Sequence, residues 1–264
     1  MGRPVVALLT DFGTSNHYAG AMKGVVLGIC PDASLIDIAH DLPPHDILTG
    51  ALELAACYRY FPHGTIFLVV VDPGVGSARR GMAVDTGEYR FVGPDNGELS
   101  VVLAEAPPRT IVELTERKYA RPTISRTFEG RDRFAPAAAW LAKGVALASL
   151  GRSLADYGRL DLPQASATDD GVAGVVLRID RFGNAITNID RRRFDAAVAG
   201  RVRILAGAHE IPRLVATYAE AGAGEPCALF GSSEHLEIAI PGASAAERLG
   251  LARGTAVVVQ GLLR

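Results

Sequence analysis

The sequence predicts an α/β fold: an N-terminal α/β domain with a largely parallel sheet, joined to a smaller C-terminal all-β, barrel-like domain. Three observations carry that expectation. The first half of the 264-residue chain alternates strand-like with helix-like segments. Residues 160–171 are polar, small and turn-rich, which marks a boundary. Beyond them come short β-type runs separated by Gly, Pro and Asn, the pattern of a small barrel or sandwich.

Taken in order, "RPVVALL" reads as a strand and "SNHYAGAMKGVVLGIC" as a helix, then "ASLIDI" as a strand and "DILTGALELAACYRYF" as a helix, and "TIFLVVV" as a buried strand. Pro31 and the "PHG" at 62–64 punctuate the helix ends, where a residue lacking an N–H or free in φ belongs. "GMAVDT", Gly87-Glu88 and "YRFVG" form a hairpin pattern, followed by "PDNG" and a short helix from Glu98. The turn-rich "LDLPQASATDDG" separates a domain over 1–163 from one over 171–264. In the second domain "GVAGVVLRID", "RVRILAG", "CALFG", "HLEIAI" and "TAVVVQ" are strand-like, and "SAAERLGL" alone reads as helical.

Composition narrows the function. Hydrophobic residues make up 48% and charged residues 21%, as in an ordinary globular protein, and the formal charge of -2 lacks the basic excess that nucleic acid demands. No apolar run reaches the roughly 18 residues of a membrane span. "MGRPVVALLTDFG" has no signal-peptide pattern, so the expected location is cytoplasmic. Cys30, Cys57 and Cys227 are odd in number and widely spaced, which argues against a disulfide framework or a thiolate zinc site.

In an open parallel sheet, ligands bind beyond the carboxyl ends of the strands, where loops diverge and leave a crevice. Asp11, Asp37 and Asp72 each stand at such an end, and "FEGRDRF" adds Glu129, Arg131, Asp132 and Arg133. Asp11, Asp37 and Asp46 also suit helix capping. Asp72 is harder to read as a cap, because Pro73, Gly74 and Gly76 follow it in a tight-turn pattern and Arg79 is close enough to fold back onto its carboxylate. The pair reads either as a structural ion pair or as a carboxylate oriented to hold or activate water.

Other chemistries fit less well. The loop "DPGVGSARR" lacks the Walker pattern and the third glycine of the dinucleotide fingerprint. "DIAHDLPPHD" gathers Asp37, His40, Asp41, His45 and Asp46, yet Pro43 and Pro44 break the helical spacing that would bring both imidazoles to one metal, so no metal is expected. No GxSxG elbow supports a serine nucleophile.

Several long motifs carry a resemblance: "LLTDFGTSNHYAGAMKGVV", "VVVDPGVGSARR", "FVGPDNGELS", "TFEGRDRFAPAAA", "IDRFGNAITNI" and "GSSEHLEIAI". In order and spacing the chain resembles the S-adenosylmethionine hydroxide adenosyltransferases, water-using relatives of the fluorinases and chlorinases. The resemblance implies a homotrimer with sites at subunit interfaces, no cofactor, and S-adenosyl-L-methionine as a small-molecule substrate attacked at C5′ to give adenosine and L-methionine. It implies that Asp72 orients or deprotonates water and that Arg79 holds Asp72, with Arg80 one residue of register away. It implies that Asp11 accepts from the ribose hydroxyls, Asp180 faces the methionine ammonium, and Asn184 reads adenine. Ser232 and Ser233 fall in the carboxylate-binding stretch, Phe128 packs on sugar or base, and His45 borders the substrate. One position departs from the pattern: Glu129 stands where a histidine is expected, and it is able to accept from water or to pair with Arg79.

Overall fold

The computed structural model describes residues 2–198 and 201–262. They divide into two compact units, one ending at Leu160 and one beginning at Asp161.

The first unit runs β1 (Val5–Thr10), α1 (Tyr18–Ile29), β2 (Ser34–Ala39), α2 (Ile47–Cys57), β3 (Ile66–Val70), β4 (Gly81–Asp85), β5 (Arg90–Pro94), α3 (Ser100–Glu105), β6 (Thr110–Glu113), α4 (Ala135–Ala142) and β7 (Arg152–Ser153). Its seven strands lie in the order β2-β1-β3-β5-β4-β6-β7. The first four are mutually parallel, and β6, antiparallel to β4, runs with them, so only β4 and β7 oppose the rest. The expected largely parallel sheet is present, and β4–β5 is the expected hairpin.

Period-two alternation explains why both faces are covered. Val6, Leu8, Ile66, Leu68 and Val70 pack with Met22 and Val26 of α1 and with Ala135, Ala138 and Leu141 of α4. Ala7, Leu9, Phe67, Val69 and Val71 pack on the other face with Leu54 of α2 and Val102 and Leu103 of α3. Helix α2 begins where Asp46 accepts from the Thr49 N–H at 3.1 Å, a side-chain cap that fixes its first turn. A π-helical turn at Gly130–Phe134 feeds α4, with Pro136 in its first turn.

The second unit contains β8 (Ser166–Ala167), β9 (Gly171–Ile179), β10 (Ala185–Asp190), α5 (Arg191–Ala197), β11 (Arg201–Ala206), β12 (His209–Ile211), β13 (Cys227–Phe230), β14 (His235–Ala239), α6 (Ala245–Leu249) and β15 (Ala256–Leu262). All its ladders are antiparallel, in the order β12-β11-β15-β9-β10-β14-β13, with β8 added beside β9. A bridge between Leu214, just past β12, and Ala228 on β13 brings the two ends together, so the sheet is barrel-like and nearly closed. Val172, Val176, Ala185, Ile204, Leu236, Ile238, Val257 and Val259 fill its interior.

Two sequence expectations need correction here. Helix α5 forms at "RRRFDAA", because Asp190 accepts from the Arg193 N–H at 2.8 Å and Phe194 is buried, so "SAAERLGL" is not the one helix of this unit. The polar interval 160–171 is not wholly irregular, since Ser166 and Ala167 pair with Ala173 and Val172. Among the described residues no helix is long and apolar enough to cross a membrane.

Candidate active site

Strand β3 is buried throughout and ends at Val70, after which the chain leaves the sheet as Val71-Asp72-Pro73-Gly74. Two successive turns reverse it. The Val75 N–H donates to the Asp72 carbonyl at 3.2 Å and the Ser77 N–H to the Gly74 carbonyl at 3.1 Å. The Ser77 hydroxyl donates to the Gly74 carbonyl at 2.6 Å and accepts from the Arg79 N–H at 3.2 Å. Gly76 makes the reversal possible: its φ is 75°, and a Cβ there would stand 2.2 Å from the Arg126 carbonyl oxygen.

The reversal lays Arg79 over Asp72. Arg79 Nε donates to Asp72 Oδ1 at 2.8 Å and Nη2 donates to Oδ2, a bidentate pair. Glu129, immediately before the π-helical turn, brings Oε2 to 2.6 Å from the same Nη2. That oxygen is fully buried and, although in charge contact, has no hydrogen-bond donor aligned with it. The three side chains are only 5–11% exposed. Burial pulls the Arg79 pKa down, but the Asp72 hydrogen bonds and the charges of Asp72 and Glu129 outweigh it and hold the guanidinium above its ordinary value. The Phe134 ring lies 5.1 Å from Arg79 Cζ, covering the flat face of the cation. Arg133 Nη2 approaches Glu129 Oε1 at 3.6 Å.

The register question between the two arginines resolves by geometry. Arg80 pairs with Asp95 at 2.6 Å and with Asp156 at 2.8 Å, and so is committed away from Asp72. The other charges of "FEGRDRF" also separate. Asp132 is fully buried, pairs with Arg131 and Arg121, and accepts from the Ser125 N–H at 2.8 Å. It anchors the segment that carries Glu129.

Asp11 does not cap α1; its Oδ2 accepts from the His45 N–H at 2.7 Å. His45 holds φ 67°, a left-handed conformation that turns this N–H toward β1's end. Phe128 is buried, meets Phe12 and Tyr18 edge-on at 5.8 and 5.1 Å, and stacks under Arg131 at 5.0 Å. Of the residues weighed as metal ligands, Asp37, His40 and Asp46 are otherwise engaged. Asp37 bonds Lys23 at 2.6 Å and His40 Nε2 at 3.0 Å, His40 Nδ1 lies 2.8 Å from Thr10 Oγ1, and Asp46 caps α2. Among the described residues no group of three or more His, Cys, Asp or Glu side chains is placed to hold a metal ion.

In the second unit Asp180 ends β9 and shapes the turn into β10. Its Oδ1 accepts from the N–H groups of Phe182 and Asn184 at 2.9 and 2.8 Å, and its Oδ2 from Asn184 Nδ2 at 3.0 Å. Asn184 Nδ2 also reaches the Tyr218 hydroxyl at 3.4 Å, and that hydroxyl donates to Glu237 Oε1. Ser232 and Ser233 lie in the turn between β13 and β14, where His235 Nδ1 donates to the Ser233 carbonyl at 2.9 Å. Tyr218 and Glu237 escaped the sequence reading. The one signal available was a glutamate within the otherwise largely apolar run "HLEIAI".

Known proteins share this arrangement of the chain. The pattern of the SAM hydroxide adenosyltransferase N-terminal domain matches residues 6–151, and that of the corresponding C-terminal domain matches 174–258. The chain belongs to the SAM hydroxide adenosyltransferase family. Within it, this member is 40% identical to a Thermus thermophilus protein named (R)-S-adenosyl-L-methionine hydrolase, over 97% of this chain and 98% of that one. It is 31% identical to a fluorinase from an Actinoplanes species, over 98% of each. A crystal structure of a conserved protein from Thermotoga maritima superimposes with a TM-score of 0.91 at 34% identity, covering 97% of this family member and 99% of that chain.

Proposed function

We propose that this protein hydrolyses S-adenosyl-L-methionine to adenosine and L-methionine. The observation that carries the reading is the buried Asp72–Arg79–Glu129 cluster at the end of β3, in a chain whose full-length relatives include named hydrolases of that substrate.

The sulfonium leaves as a neutral thioether, so no acid is required at the leaving group, and the demand falls on alignment and on the nucleophile. Water attacks C5′ opposite sulfur; the C5′–O bond forms as the C5′–S bond breaks, and the bonding pair departs with sulfur as methionine. The water's proton passes to the Asp72 carboxylate and then to solvent. Arg79 holds Asp72 in one orientation through two hydrogen bonds. Two carboxylates beside the attack position also favour water over a halide, which like charge repels strongly in a low dielectric.

Under the same reading Asp11 accepts from the ribose diol, with His45 and Phe128 beside the nucleoside. Asp180, Asn184, Ser232 and Ser233 receive adenine and the amino-acid end. The protein works as a cytoplasmic homotrimer with sites at subunit interfaces, and needs neither cofactor nor metal.

Incubation with S-adenosyl-L-methionine in H2(18)O, followed by chromatography and mass spectrometry, tests the reading. Adenosine carrying 18O at the 5′ oxygen is expected from the native protein and not from Asp72→Ala. Binding of the substrate without adenosine above the blank would instead mark a nucleoside-binding protein in which Glu129 has silenced the chemistry. Light scattering at three times the chain mass checks the assembly.

A further inference from the structure

The turn "PDNGE" after β5 touches both ends of the Asp72 loop. At the far end the Asp95 N–H donates to the Arg80 carbonyl at 2.9 Å, and the Asp95 carboxylate accepts from Arg80 Nε at 2.7 Å. At the near end Asn96 Nδ2 donates to the Val71 carbonyl at 2.8 Å, and Glu98 Oε2 accepts from the Val71 N–H at 3.0 Å. Val71 lies past the last ladder positions of β3, which pair Thr10 with Val70 and Leu68 with Val92. Its buried N–H and C=O therefore need partners from outside the sheet. The two side chains supply them, and the peptide that Asn96 holds is the one that joins Val71 to Asp72.

Glu98 is an unusual residue for that task. It is 1% exposed, and its Oε1 is buried with no hydrogen-bond partner. Gly50 of α2 leaves room for it: a Cβ at that position would stand 2.7 Å from Oε1 and 3.1 Å from a Val71 methyl. The charges acting on it are those of Asp11, at the end of β1, and Asp72, both acidic. An ionised carboxylate placed so would be buried, unpaired and repelled. Burial first, then those two carboxylates, push its pKa well above the ordinary glutamate value against the opposing Val71 hydrogen bond.

We propose that Asn96 and Glu98 are positioning residues for Asp72, and that Glu98 does its work as an uncharged carboxylic acid. It fixes Val71 without placing a further negative charge beside Asp72, leaving Arg79 to set the electrostatics of that carboxylate. The catalytic part of this inference rests on the reading of Asp72 as the group that takes the proton from water; the uncharged state of Glu98 does not.

The test therefore has two arms. In the first, the native protein is labelled with 13C at glutamate side-chain carboxyls, and the Glu98 resonance is assigned by its absence from Glu98→Gln or by side-chain to backbone correlation. At pH 7 it is expected at the shift of a protonated acid. A carboxylate shift overturns the proposal whatever the activity. In the second arm, adenosine formation is followed for Glu98→Gln, Glu98→Ala and Asn96→Ala. Glu98→Gln, which keeps the accepting oxygen without charge, is expected to hold kcat within about threefold and to leave the pH profile unmoved. Glu98→Ala and Asn96→Ala are expected to lose tenfold or more in kcat with KM within about twofold. Glu98→Gln as impaired as Glu98→Ala, or both alanine variants at native kcat, would overturn the positioning role. A native protein that forms no adenosine would defeat the hydrolase reading, while the carboxyl resonance still decides the state of Glu98.

Discussion

In the N-terminal unit the buried carboxylate of Asp72 is answered by a guanidinium; in the C-terminal unit that of Glu237 is answered by a phenol, and Asp180 by two backbone N–H groups and an amide. The partners differ in charge, and the consequences follow. A cation beside a carboxylate favours its ionised form, whereas a neutral donor leaves burial as the larger influence. Burial and the nearby Asp180 push the Glu237 pKa up against the Tyr218 hydrogen bond and the charge of Arg178, and burial together with Glu237 pushes the Tyr218 phenol up. On the proposed function the first cluster serves as the base and the second as a wall for the substrate.

The largest expected effect is on chemistry. Asp72→Asn keeps the shape of the loop but cannot take a proton, and kcat for adenosine formation should fall about 10²–10⁴-fold, with KM within about threefold. An equal loss from a change at Glu237 would break the contrast between base and wall.

Next comes stability. Arg79→Met leaves Asp72 and Glu129 buried without their shared cation and should cost about 3–5 kcal/mol in urea unfolding. Tyr218→Phe removes one neutral donor from Glu237 and should cost about 1–3 kcal/mol. If the tyrosine change proves the more damaging, the two clusters are not built on different plans.

The smallest effect is a slope. The folded-state pKa of Glu237 is raised, so above the ordinary value of 4.5 the unfolded chain has released a proton that the folded chain retains. Stability relative to Glu237→Gln should therefore fall as pH rises above 4.5 and through the folded pKa, read as the change in the difference in Tm between the two proteins. Asp132 should show the opposite sign. Burial raises its pKa, but the Arg131 hydrogen bonds and the Ser125 N–H outweigh it and hold it below 3.8, so its contribution is present above that value and lost as pH falls through the folded pKa.

Much of this was legible before any coordinates. The unbroken apolar run "IFLVVV" marks a strand buried on both faces, and the eight residues from Asp72 to Arg79 contain the turn formers that fold one end onto the other. Those are local matters, decided by φ preferences and short-range hydrogen bonds. That Glu129 meets Arg79 was reachable only through resemblance, because Glu129 lies 57 positions beyond Asp72. Helix α5 was passed over because three arginines obscure a short amphipathic turn whose cap, Asp190, also ends a strand.

Nothing in "PDNGELS" says which backbone Asn96 and Glu98 will face, and from the sequence Glu98 reads only as the start of a short helix. The parallel register of β3 against β5, with Leu68 opposite Val92, answers that by placing the turn beside Val71. Tyr218 and Glu237, nineteen residues apart, meet because the segment between β12 and β13 packs on the face of β13 and β14 opposite the barrel interior. By itself the sequence determined most of the strands and the tight turn after Asp72, because each depends on neighbours in the chain. The tertiary structure decided which arginine meets Asp72, how the second sheet closes, which acids share a cation, which accept hydrogen bonds from neutral groups, and which is buried with no hydrogen-bond partner for one oxygen. Those outcomes depend on strand order and register, which bring distant residues into one low-dielectric place.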